Sequence, residues 1–297
     1  MFKNVAPKWY IGVTILFIAM VFLLLLAEPM QASWGMGGVA LTQIGLLLVA
    51  LAAPFLYKWK LSEILPIQKV TFKQFFGTLI LYIATFIPVT TSTMIVAYFF
   101  PGILEVGSSL GNFFVTVPFI VALFIVAVMP AICEEVLFRG VFLYTLRKFN
   151  SEFSVILTVA IFFGLFHLNI YRFIPTAILG FAMTYLMIKT KNFLLPMLFH
   201  FLNNVISLSA SYATFSSVEE IDVTVTLGLE FIGVYLILSA VAPVLYYFAG
   251  RLLTTAGKNN KKLIISIFLS ILLLIIGFGI LAAVIASGSI DYDFYGL

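Results

Sequence analysis

Residues 263–286 read LIISIFLSILLLIIGFGILAAVIA, a run with no charged side chain. Wound as a helix at about 1.5 Å per residue, it spans about 36 Å, enough to cross a hydrocarbon core of about 30 Å. A strand of a membrane barrel would alternate apolar and polar residues over a much shorter length. Here the apolar residues are continuous, so the backbone must close its hydrogen bonds within a helix. Runs of the same kind recur along the chain, which is 63% hydrophobic, only 9% charged and has a mean hydropathy of +1.19. That composition excludes a soluble globular protein and indicates an all-α, polytopic transmembrane helical bundle.

Apolar runs set against breakers give about nine spans, at 10–27, 38–57, 75–100, 113–146, 152–168, 173–189, 193–212, 225–249 and 263–287. Placing the N-terminus inside puts fifteen of the sixteen basic residues in inner segments and leaves only Arg172 outside, as the positive-inside rule requires. Glu28, Glu105, Glu219, Glu220, Asp222, Asp291 and Asp293 then fall outside. The run after Lys3 and Lys8 is long for a signal-peptide core and is read as an uncleaved first span, with cleavage near Ala32 as the alternative. The segment LSEILPIQKVTFKQ (61–74) mixes apolar and basic residues, as an amphipathic stretch on the inner surface or a basic loop would. No soluble domain is visible, so residues 1–297 form one membrane domain.

The single cysteine, Cys133, rules out an intramolecular disulfide. Its neighbours include no histidine that would activate it, and a small buried hydrophobe is the better reading. The basic balance, with a pI near 9.0, belongs to loops that orient the chain, and no nucleic-acid partner is expected.

Ionisable side chains inside a bilayer are costly and mark function. The stretch AICEEVLFRG (131–140) places Glu134, Glu135 and Arg139 in the fourth span. Away from span ends the only others are His167 in the fifth span and His200, with Asn203 and Asn204, in the seventh; Glu230 lies near an outer end. Glu135 and Arg139 are spaced i, i+4 and can pair, whereas Glu134 is rotated by about 100° and stays freer. Counted from an inner turn near Asn150, Glu134 and His167 lie at one level, roughly 24–26 Å away. His200 and Asn204, counted from Asn192, lie roughly 12–18 Å deep, a looser match.

Two carboxylates, two imidazoles and an amide in a dry bundle suit general-base hydrolysis. Glu134 and His167 would share a proton and activate water, and His200 with Asn204 would hydrogen-bond the oxyanion. A zinc site on Glu134, His167 and His200 is the alternative, although no HExxH is present.

EEVLFR (134–139), FGLFH (163–167) and HFLNN (200–204) match, in order, the EExxxR, FxxxH and HxxxN motifs of the CAAX prenyl protease and bacteriocin-processing family of intramembrane endopeptidases, the Abi family, which the chain resembles over 113–212. The resemblance implies catalytic roles for Glu134, His167, His200 and Asn204, with supporting roles for Glu135, Arg139 and Phe163. It implies a glutamate-type endopeptidase needing no metal and acting on a peptide or protein substrate at the membrane, lipidated or secreted. A proton-coupled transporter would show paired broken spans; Pro130 offers one break without a counterpart. A silent peptide-binding immunity protein is the remaining alternative. The Lys, Ile and Phe content resembles proteins of AT-rich bacteria and suggests a bacterial plasma membrane.

Overall fold

The computed structural model describes residues 7–148, 151–215, 227–254 and 259–288. The turn residue Asn150, the acidic residues Glu219, Glu220, Asp222, Asp291 and Asp293, and Lys3 and Lys258 lie outside the described residues.

Every regular element among the described residues is helical. Among the described residues eight helices are long and apolar enough to cross a membrane: α1 (Trp9–Trp34), α2 (Met36–Tyr57), α4 (Phe72–Phe99), α6 (Phe119–Leu146), α8 (Ile170–Thr190), α9 (Leu194–Phe215), α10 (Leu229–Leu253) and α11 (Asn260–Ser287). Three shorter ones intervene: α3 (Leu61–Ile64), α5 (Gly102–Phe114) and α7 (Glu152–Leu165). The chain is thus an integral membrane protein by the character of its helices, and the expected nine spans become eight plus the shorter α7.

That difference has a local cause. The fourteen residues of α7 rise only about 21 Å, short of a hydrocarbon core of about 30 Å. The helix stops in a tight turn where Leu168 takes φ +51°, and Asn169 caps α8 by accepting from the N–H groups of Tyr171 and Arg172. His167 therefore sits on a hairpin tip rather than in mid-helix. The expected fourth span also divides, because Phe113 and Phe114 end α5 and Pro118 starts α6 afresh. Proline has no N–H to continue a helix and holds the residue before it extended.

The α7–α8 hairpin packs on α4, α10 packs on α4 and α11, and α6 runs through the middle against α2 and α9. Every residue from Val136 to Phe142 is buried. Around them Phe138, Phe142, Phe163, Phe166 and Phe199 form the aromatic centre of the core, with Phe138 edge-on to Phe163 and Phe166 at 5.1 Å in each case. By contrast, α11 buries little beyond Gly277 and Val284. It meets α10 at Gly233, where an added Cβ would come within 3.1 Å of the Gly277 carbonyl, a close helix crossing of the kind small residues permit in lipid.

Segment 61–74, expected as an amphipathic stretch or a basic loop, is irregular through its middle. Leu61–Ile64 forms one helical turn, 65–71 are not helical and α4 starts at Phe72, while Ile64 and the preceding Trp59 enter the core. Glu63 accepts from Tyr144 at 3.0 Å and Arg147 at 3.4 Å, and the Tyr144 hydroxyl, followed by Arg147, holds its carboxyl below the usual carboxylate range.

Candidate active site

The centre of α6 carries the charges. Its winding loosens to π-helical at Leu123–Val128 and again at Val136–Phe142, on either side of Met129–Glu135. Such bulges free backbone groups and re-aim side chains. Pro130 adds to this, for it has no N–H to give the carbonyl of Val126 four residues earlier. Asn204 Nδ2 on α9 donates to that carbonyl at 3.2 Å, and Asn203 Nδ2 donates to Asn204 Oδ1 at 3.2 Å. Asn204 is thereby fixed with its second amide hydrogen uncommitted.

Glu135 and Arg139 pair as their spacing requires, at 2.7 Å, with both side chains fully buried. Arg139 also donates to the carbonyl of Gly180 on α8 at 3.1 Å, and its guanidinium lies 4.4 Å from the Phe163 ring centre. Glu135 Oε1 accepts a second bond, from His200 Nδ1 at 2.8 Å. A carboxylate only accepts, so Nδ1 carries the proton and Nε2 is the nitrogen left to face the site.

Nε2 of His200 lies 4.0 Å from Glu134 Oε2. Glu134 makes no pair with Arg139. Its Oε1 instead accepts from Gln43 Nε2 on α2 at 3.1 Å, and its side chain is 13% exposed. The two adjacent glutamates thus live in opposite surroundings: one sealed and neutralised by a cation, the other held by a neutral amide and partly open.

His167 Nδ1 lies 2.8 Å from the carbonyl of Phe163. Because that carbonyl can only accept, Nδ1 is protonated and Nε2 is directed elsewhere. The ring of Phe163 stands between the two histidines, 5.1 Å from His167 and 5.9 Å from His200. His167 also lines a cavity of about 630 Å³ whose walls include Leu23, Glu28 and Gln31 of α1 and Leu110 and Phe113 of α5.

The structure therefore gathers Glu134, Glu135, Arg139, Phe163, His200 and Asn204 around α6, with His167 at the edge that meets this cavity. His200, the looser match in level, nevertheless reaches the site, as its bond to Glu135 shows, from a helix whose preceding turn is packed into the protein. Asn192 is fully buried, and Phe193 N–H donates to the Pro66 carbonyl at 2.8 Å. Cys133 is buried. Among the described residues no three His, Cys, Asp or Glu side chains are grouped to hold a metal ion.

Two residues join the site that the sequence did not single out. Gln43 is a lone amide within an apolar run, and that isolation was its only signal. Arg172, expected in an outer loop, lies in the first turn of α8, near enough to Glu134 and His167 for their charges to interact.

No curated protein and no solved structure matches the chain. Residues 116–206 match the model of the Rce1-like family, described as type II CAAX prenyl endopeptidase Rce1-like, a match that runs from α6 into α9 and takes in Glu134, His167 and His200.

Proposed function

We propose that the protein is a glutamate-type intramembrane endopeptidase that hydrolyses a peptide bond of a membrane-associated, lipidated or secreted peptide without a metal. The observation that carries this reading is the contrast between the two glutamates. Glu135 is neutralised by Arg139 and spends its second bond on orienting His200, while Glu134 makes no ion pair with an arginine among the described residues, is held by Gln43 and faces His200 Nε2.

In the reaction, Glu134 takes a proton from a water that His167 Nε2 helps to hold, and the hydroxide adds to the peptide carbonyl carbon. The oxyanion receives the free amide hydrogen of Asn204 and a hydrogen bond from the His200 ring, which Glu135 holds in place. Collapse breaks the C–N bond, and the proton on Glu134 passes to the leaving amine. Gln43 keeps the Glu134 carboxylate aimed. Phe163 separates the imidazoles and covers Arg139.

The test compares wild type with Glu134→Gln and His167→Ala in native membranes, profiling the lengths of small secreted or lipidated peptides. A truncated peptide is expected with wild type alone, from variants that insert and fold normally. Full cleavage by either variant refutes the water-activation assignment. Purified enzyme is expected to keep its activity in chelator; loss restored by added zinc would move the carboxylate and imidazoles to metal ligation.

A further inference from the structure

Far from Glu134, a cavity of about 1160 Å³ opens where five helix ends meet. Gln74 lines it from the start of α4, Lys189 from the end of α8, Arg251 from the end of α10 and Lys262 from the start of α11. Lys191, in the turn after α8, brings the cations in its wall to four against one carboxylate, Glu152. Glu152 pairs with Lys189. Lys191, Arg251 and Lys262 have no carboxylate partner among the described residues, and all three are exposed. In the same wall the hydroxyl of Tyr247 is buried without a hydrogen-bond partner.

A second cavity, of about 670 Å³, adjoins the first through Tyr185 and Tyr246, which line both. Its other walls are wholly apolar and include Leu81, Ala160, Ala177, Ile178 and Phe181. From Lys189 back to Ala177 along α8 is about 18 Å, slightly more than the ~15 Å of one hydrocarbon leaflet. A soluble anion would satisfy the cations and leave the greasy groove unused. A neutral lipid would fill the groove and leave three cations uncompensated.

We propose that the two cavities form one binding site for an anionic phospholipid. Its phosphate lies among Lys191, Arg251 and Lys262 within reach of the Tyr247 hydroxyl, and an acyl chain runs along the groove between α7 and α8. Basic pockets between spans at the membrane surface take anionic headgroups for this reason. The guanidinium of Arg251 adds donors in a plane that matches phosphate. The site borders the hairpin that carries Phe163 and His167 but includes no residue of the proposed hydrolytic machinery, so it stands or falls independently of that function.

The experiment adds dioleoyl phosphatidylglycerol or dioleoyl phosphatidylcholine to the full-length protein in neutral detergent. It measures affinity by titration and retained lipid by native mass spectrometry. Phosphatidylglycerol is expected to bind and phosphatidylcholine to wash away. Arg251→Gln with Lys262→Gln should weaken phosphatidylglycerol binding by about 30-fold, from roughly fivefold per surface cation. Lys191→Gln, at a third exposed position, supplies the same readout independently. Ile178→Trp, which fills the groove away from the cations, should weaken binding as well. Equal retention of both lipids, or unchanged affinity in the charge variants, overturns the proposal. So does full reproduction of the effect by inorganic phosphate or glycerol phosphate, which would make this a site for a soluble anion.

Discussion

Glu134 and Glu135 differ by one position and by nearly everything that determines their chemistry. A buried carboxylate left beside an arginine is a structural group, and breaking such a pair costs about 3–5 kcal/mol. One held only by an amide keeps its lone pairs for a reacting molecule. Gln43 is the residue that makes this arrangement specific, and Gln43→Leu tests it. A hydrogen bond to a charged group is worth about 1.5–3 kcal/mol, so kcat is expected to fall about 10- to 150-fold with KM little changed. Folded yield should hold, since Gln43 Oε1 is itself buried without a partner and leucine removes that cost. A loss of yield equal to the loss of activity would make Gln43 a packing residue. At this scale the sequence exposed the i, i+4 pair because helical spacing alone places Glu135 under Arg139. It could not expose Gln43, 91 residues from Glu134, because one glutamine in an apolar run carries no spacing to read.

Among the elements, α6 shows how a break in one helix becomes a demand on another. Pro130 strips the Val126 carbonyl of its donor four residues on, and Asn204 of α9 supplies one. Removing Asn204 therefore leaves a part-buried carbonyl unsatisfied, at a cost of up to about 1–3 kcal/mol. Restoring a backbone N–H with Pro130→Ala should remove most of that cost. A double-mutant cycle on thermal stability is expected to show Asn204→Leu destabilising the wild-type chain clearly and the Pro130→Ala chain by at least ~1 kcal/mol less. Activity should be lost with Asn204→Leu in both backgrounds, because the free amide hydrogen is what the oxyanion needs. Recovery of activity in the double variant would reduce Asn204 to a structural role. The apolar runs announced the helices but not their ends. The length of α7 was hidden because Phe166 and Leu168 extend its run past the turn, and that turn rests on one left-handed residue and the Asn169 cap.

For the whole molecule, the basic residues of the described loops gather at one end of the bundle. Arg147 reaches Glu63 there, Lys189 reaches Glu152, and the ends of α4, α7, α8, α10 and α11 enclose one basic cavity. The cavity that holds His167 instead lies against Glu28 and α5, on the opposite side of the core. If the basic end faces the cytoplasm, as loop charge dictates, the proposed hydrolytic site would open toward the outer face, and a peptide presented there would be the substrate. Cysteine labelling decides this, because the one native thiol, Cys133, is buried. In a Cys133→Ser background, a membrane-impermeant maleimide added to intact cells should modify Glu105→Cys at once. It should modify Lys69→Cys only after permeabilisation, both positions being exposed. The reverse pattern would turn the His167 cavity toward the cytoplasm and make the substrate a cytoplasmic peptide, with the geometry around Glu134 unaltered.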